Sequence, residues 1–333
     1  MAPRPSLGRR LLFSLIPLAV VFGGAELGLR GAGWPKIEAA FEHNSPFWTA
    51  DPDLAAFPMN HNEEGRTFPV TTNEDGLRVP THALEKPSGT HRVMTLGCST
   101  TFGWGVADAE SYPARLESLI RESGRQDVEV LNGGQPGYTS FQGRWLWDRT
   151  LKHYDPDVVM VGFVVQDARK AAYSDRSQAV LQQDARYLKD NLLYRSKVYL
   201  GLRSLLGHVQ VRAKERGAQD VGGEYRVPPG DYVENLRALV SRIQDVGATP
   251  VLFGYPLERT GYTSQHRTIL AAAAAELGVP HFDPQPQMEE ATRSQQLYFT
   301  SDRGHANAAG NDLIARWVLD FLMDQDLLPG AAR

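Results

Sequence analysis

The chain has 333 residues, room for one large α/β domain or two smaller ones, and its 42% hydrophobic and 22% charged residues exclude a disordered, collagen-like or coiled-coil protein. Its formal charge of −4 conceals a split, because residues 1–36 carry five Lys/Arg against Glu26 alone and leave −8 on the rest, an acidic body that disfavours nucleic acid as a partner. The single cysteine, Cys98, excludes an intramolecular disulfide and any zinc or iron–sulfur site built from several thiolates.

Arg4, Arg9 and Arg10 precede an apolar stretch over 11–25, broken by Ser14, Pro17 and two glycines, and leucines continue to Leu29. Basic residues ahead of an apolar run read as an export address, and a run of about 15 to 19 residues lies between a signal-peptide core and a full membrane span. Gly23 and Ala25 would suit a signal peptidase, whereas Glu26 and Arg30 are spaced as a helical ion pair. Residues 1–30 are therefore expected to form a signal anchor or transmembrane helix. That helix would hold the body at the membrane on the periplasmic or cell-surface side, or release it as a secreted protein if cut.

Residues 31–90, rich in Pro, Asn, Asp and Gly without a sustained period, read as a connecting segment packed on the domain. From 91 to 325 short β-branched runs alternate with helical patterns: strands are expected at 93–96, 128–131, 158–165, 251–255 and 279–282. Helices are expected at 112–122, 141–153, 232–246, 268–277 and 311–323. The alternation predicts right-handed crossovers and a three-layer α/β/α sandwich on a five-stranded parallel sheet, with ligands outside the carboxyl ends of the strands. Residues 174–228 interrupt the alternation as a helical insertion. Within it, 186–216 has eight Lys/Arg and apolar residues at helical spacing, a basic amphipathic stretch suited to packing on the domain or to acting as a lid at an anionic surface.

The first strand ends in Gly97-Cys98-Ser99-Thr100-Thr101-Phe102-Gly103-Trp104-Gly105, a serine in a Gly-rich turn past a strand end, where a nucleophile belongs. A serine hydroxyl needs a base and the base an orienting partner. The turn Ser301-Asp302-Arg303-Gly304-His305 offers both, with Asp302 on one imidazole nitrogen and the other facing Ser99. Past the next two strands lie Asn132-Gly133-Gly134-Gln135-Pro136-Gly137 and Gln166-Asp167. Backbone amides of Ser99 and Gly137 with the side-chain amide of Gln166 would give three donors for a developing oxyanion.

These blocks, in this order, resemble the SGNH or GDSL-type hydrolase superfamily over residues 73–322. Gly97-Cys98-Ser99 looks like its nucleophile block, Gly137 like the glycine of the second, Gln166-Asp167 like the Asn-Asp of the third, and Asp302 with His305 like the Asp-x-x-His of the last. Thr72-Asn73-Glu74-Asp75-Gly76-Leu77-Arg78 resembles an element of bacterial membrane-anchored members. The resemblance implies a flavodoxin-like sheet and carboxylic ester hydrolysis through an acyl-serine, without cofactor or metal, on a small-molecule, lipid or acylated-glycan ester. Two departures stand out: Cys98 replaces the usual Asp, and Gln166 replaces the usual Asn, adding one methylene that re-aims the amide.

Other readings of the same residues are a Cys98–His305 nucleophile pair and a metal site on Asp302 and His305; the glycine turn has neither a phosphate-loop nor a dinucleotide spacing. An O-acyltransferase that modifies envelope polysaccharide, or a non-catalytic glycan- or lipid-binding protein, would share the fold.

Overall fold

The computed structural model describes residues 7–32, 68, 70–80, 82–171, 174–177, 196–199, 201–202, 223–300 and 302–329, without side chains at 7–12 and 14. Two compact units are present: 1–48 with 177–223, and 49–176 with 224–333.

In the first unit, helix α1 runs Leu7–Gly31 with Pro17 inside it. Phe13, Leu15, Ile16, Leu18, Val20, Val21, Phe22 and Leu27 are exposed along it. Arg30 Nε donates to Glu26 Oε1 at 2.8 Å, the ion pair expected from their spacing. Among the described residues no helix is long and apolar enough to cross a membrane. The expected span over 11–29 is thus not supported: the Glu26–Arg30 pair places two charges in the last turns of α1, and side chains 11, 12 and 14 lie outside the described residues. The basic stretch 186–216 also lies almost wholly outside them.

The second unit holds the sheet. Its elements are β1 His91–Gly97, α2 Ser99–Phe102, α3 Tyr112–Glu122, β2 Val128–Gly134, α4 Ser140–Arg149, β3 Val158–Gly162, β4 Lys170–Ala171, β5 Glu224–Tyr225, α5 Pro229–Gln244, β6 Thr249–Phe253, α6 Ser264–Leu277, β7 His281–Phe282, α7 Gln285–Ala291 and α8 Ala308–Asp324. Five parallel strands order as β2-β1-β3-β6-β7, the flavodoxin-like arrangement, with the strand order reversing between β1 and β3. The pair β4–β5, antiparallel and outside this sheet, was not expected from sequence.

Successive strand residues feed opposite faces, so β3 is apolar throughout and β1, β2 and β6 carry apolar residues on both faces. Met94, Leu96, Leu131, Val159, Val161 and Leu252 join one core with Trp147 of α4, Leu239 of α5 and Leu270 of α6. Val93, Val130, Met160, Val251 and Phe253 join the other with Leu116 of α3, Met288 of α7 and Val318 of α8. Two cores on one sheet make the three layers.

Most expected boundaries shift by a few residues, and two of the shifts have a clear cause. The run 158–165 leaves the ladder at Gly162, because Phe163 and Val164 enter one core and Val165 the other as the chain turns. The helix expected over 141–153 breaks at Thr150 into α4 and a 3-10 turn over Leu151–Tyr154, closed by Asp155 at φ 50°.

Candidate active site

Register sets the strand ends level, since Gly97 of β1 is paired with both Gly134 of β2 and Gly162 of β3. Ser99, Gly137 and Gln166 follow these three ends by two, three and four residues, so the sheet brings them to one edge at the reversal of strand order.

Ser99 opens the short helix α2 directly after Cys98 and is 6% exposed. The first N–H groups of a helix have no intrahelical acceptor, which leaves the Ser99 amide free to donate outward. The helix lies hard against β2: a Cβ on Gly134 would come within 2.3 Å of the Phe102 nitrogen, so only glycine permits this approach.

From above, the buried Arg78 pins the loop after α2. Its Nη1 donates to Phe102 O at 2.9 Å and Gly103 O at 2.6 Å, its Nη2 to Val106 O at 2.7 Å and its Nε to Asp108 Oδ1 at 2.9 Å. Asn73 Oδ1 accepts from the amides of Asp75 and Leu77, forming the turn that presents Arg78. The element over 72–78 is thus a clamp on the serine loop, a role that its sequence pattern alone did not reveal.

His305 Nε2 lies 2.8 Å from Ser99 Oγ, and His305 Nδ1 lies 2.6 Å from Asp302 Oδ2. The turn closes on itself through His305 N to Asp302 O at 3.2 Å and Gly304 N to Asp302 Oδ1 at 3.2 Å. The hydrogen bond to His305 holds the Asp302 carboxyl below its ordinary value against the cost of burial, and the Gly304 amide and Arg169 add to this. An ionised Asp302 fixes Nδ1 as the protonated nitrogen and leaves Nε2 as the acceptor for the serine proton. The array can therefore generate a serine nucleophile.

Gly137 takes φ 78°, the left-handed region that glycine adopts without strain, and nothing lies within 4 Å of where its Cβ would stand. Gly137 O and Gln166 Oε1 both accept from the Nη1 of Arg226, at 2.7 Å and 3.1 Å, so the two sit side by side. The next residue, Asp167, is fully buried, with Oδ1 accepting from the amide and hydroxyl of Ser140. Burial pushes its carboxyl up to about 7, against the hydrogen bonds from Ser140.

Of the five sequence-expected residues, Ser99, His305 and Asp302 are joined by hydrogen bonds, and Gly137 and Gln166 are joined through Arg226 past the ends of the neighbouring strands. Arg226, its ion-pair partner Asp175 and Arg78 were not foreseen as parts of the site: Arg226 and Asp175 carry no motif, the motif over 72–78 does not reveal what Arg78 holds, and the contacts span 24 to 89 residues of chain. Cys98 is fully buried, its thiol pushed up by burial and its Sγ 3.2 Å from Thr100 Oγ1, which removes it as an exposed thiolate nucleophile. Among the described residues no three His, Cys, Asp or Glu side chains group as metal ligands.

A family model, the GDSL-like lipase/acylhydrolase family, matches residues 95–313. Similar solved structures include LAE5, an alpha/beta hydrolase enzyme from the metagenome of Lake Arreo, Spain, at 17% identity over 72% of this chain and 97% of that one, TM-score 0.47. The lipase/acylhydrolase from Enterococcus faecalis is 15% identical over 71% of this chain and 97% of that one, TM-score 0.47. A catalytic mutant of Axe2, an acetylxylan esterase from Geobacillus stearothermophilus, is 16% identical over 72% and 96%, TM-score 0.47. Similarity of this degree says nothing about substrate. No curated protein matches the sequence.

Proposed function

The chain belongs to the GDSL-like lipase/acylhydrolase family and is an ester-bond hydrolase, and from that premise we propose that it works through an acyl-Ser99 intermediate outside the cytoplasm. The observation that carries the mechanism is the continuous chain Ser99 Oγ, His305, Asp302, at 2.8 and 2.6 Å.

Ser99 Oγ attacks the ester carbonyl carbon while its proton passes to His305 Nε2, and the carbonyl oxygen becomes an oxyanion facing Ser99 N, Gly137 N and Gln166 Nε2. Collapse expels the alcohol, which takes the proton from His305. Water then repeats the sequence on the acyl-serine, its proton going to His305 and returning to Ser99 as the carboxylic acid leaves. Asp302 holds the imidazolium throughout.

A cleft that reaches the Asp302–His305 turn through Arg303, without including Ser99 or His305, is lined by Glu258, Arg293 and Gln296 together with Leu297 and Phe299, and its charged and amide groups support an ester whose alcohol part is polar, such as an acylated glycan. The basic start and exposed apolar residues of α1 support export; whether the chain then stays at the membrane is decided by cleavage.

Labelling with a fluorophosphonate tests the mechanism: Ser99 is expected to carry the adduct, and an unlabelled Ser99 in protein that hydrolyses esters removes it. Protease added to intact spheroplasts tests location, with digestion of the body expected and full protection until lysis contradicting it. Acyl delivery to an added glycan rather than to water would move the reading to an acyltransferase.

A further inference from the structure

We infer that Arg226, held by Asp175, is a positioning residue that aims both donors on the far side of the oxyanion hole, an inference that rests on the acyl-serine reading. Nη1 spends its two N–H groups on Gly137 O at 2.7 Å and Gln166 Oε1 at 3.1 Å. The other edge of the guanidinium is locked: Nε meets Asp175 Oδ1 at 3.0 Å and Nη2 meets Asp175 Oδ2 at 2.9 Å, a two-point pair that fixes the plane as well as the place of the group. Asp175, its side chain 2% exposed, is fixed in turn by the Thr139 hydroxyl at 2.7 Å.

The consequence for Gln166 follows from donor chemistry. A guanidinium has only donors, so the face of the amide that meets Arg226 has to be its oxygen, and Nε2 then points the opposite way. Arg226 thereby removes the amide's two-fold ambiguity and leaves its donor for the site. It also adds a hold on Gly137, at φ 78° in the turn that Tyr138 N closes on Gln135 O at 3.1 Å. The backbone of Arg226 is stitched to the same segment, its N donating to Arg169 O at 2.8 Å and its O accepting from Asp175 N at 2.7 Å. This arrangement accounts for glutamine where the family has asparagine. The longer side chain brings Oε1 out to the guanidinium, and without that grip the extra methylene would let the donor wander by an ångström or so, a misplacement worth about a hundredfold in rate.

The test is steady-state hydrolysis of p-nitrophenyl acetate, with the inhibition constant of a boronic acid that places an oxygen in the hole. Arg226→Ala is expected to lower kcat by about 10- to 100-fold with KM within about twofold, and to weaken the boronic acid in proportion. In a Gln166→Ala background the same change is expected to cost at least about threefold less than it does alone, because only its hold on Gly137 is left to lose. Arg226→Ala also leaves Asp175 buried without its partner, so Arg226→Lys, which keeps the charge but cannot meet both sets of acceptors, provides a folded variant. It is expected to show the same split at smaller size. Full multiplication of the two losses, or unchanged kcat and inhibition in Arg226→Lys and Arg226→Ala, would overturn the inference while leaving the hydrolase intact. A wild-type protein whose Ser99 takes neither fluorophosphonate nor acyl group would overturn the mechanism itself, and the inference with it.

Discussion

The two sides of the site are built differently. On the proton-relay side, Asp302 and His305 lie three residues apart on one turn, and the Asp302 side chain is 46% exposed. On the oxyanion side, Gly137, Gln166, Asp175 and Arg226 come from four separate stretches of chain, and Gln166, Asp167 and Asp175 are all buried. In the proposed mechanism the relay exchanges protons with alcohol and water, and its base, His305, keeps 17% of its side chain exposed. Donors that stabilise a transient charge act best when fixed in advance and kept from water, where each hydrogen bond is stronger. The two aspartates record the contrast: the hydrogen bond with His305 draws Asp302 down, whereas burial draws Asp167 up to about 7.

The largest effects belong to the relay. Ser99→Ala or His305→Ala is expected to lower kcat on the order of 10⁶-fold, and Asp302→Asn about 10⁴-fold or less, because Asp302 orients and stabilises the imidazole without exchanging its proton. Cys98→Ala is expected to retain turnover. A dead Cys98→Ala beside an active Ser99→Ala would reverse the nucleophile assignment.

This side was also the more legible in sequence. Ser99 sits in a glycine turn after a β-branched run, and Asp302 and His305 share five consecutive residues, so local pattern was sufficient. The sheet was legible for the same reason: a strand buried on both faces, such as 158–162, is an unbroken apolar run. What escaped were features decided by distant contacts. The run 158–165 is apolar to its end, yet its last residues are buried in loops rather than paired in the ladder, and apolarity alone does not distinguish these. Arg226 lies 51 residues beyond Asp175 and has no neighbouring signature, and its role exists only once β4 and β5 have closed.

The oxyanion side should respond less, and through kcat alone. Gln166→Ala is expected to lower kcat about 10²- to 10³-fold with little change in KM, the mark of an interaction made in the transition state. Gln166→Asn is the sharper variant. It restores the family's usual group but withdraws Oε1 from Arg226, so it should fall between wild type and Gln166→Ala. Activity above wild type would show that the guanidinium grip is dispensable, and unchanged kcat in Gln166→Ala on several esters would leave the oxyanion to Ser99 and Gly137.

The smallest effect concerns stability. With its carboxyl at about 7 in the folded chain against 3.8 for an unperturbed group, Asp167 holds a proton when folded that it lacks when unfolded over the intervening pH range. Its contribution to stability is therefore full below about pH 4, declines as pH rises and is lost by about pH 7, where the folded chain must bury the charge. Asp175 and Arg226 perturb it in opposite directions, and burial outweighs both. Asp167→Asn cannot ionise, and its Oδ1 can still accept from Ser140, while its Nδ2 replaces an oxygen that has no hydrogen-bond partner. The unpaired amide costs the variant stability at every pH, so only the slope is informative. Melting temperatures measured from pH 4 to 8 should show the variant gaining on the wild type up to about pH 7 and then running parallel to it; curves parallel throughout would mean that Asp167 is ionised in the folded protein at every pH in that range.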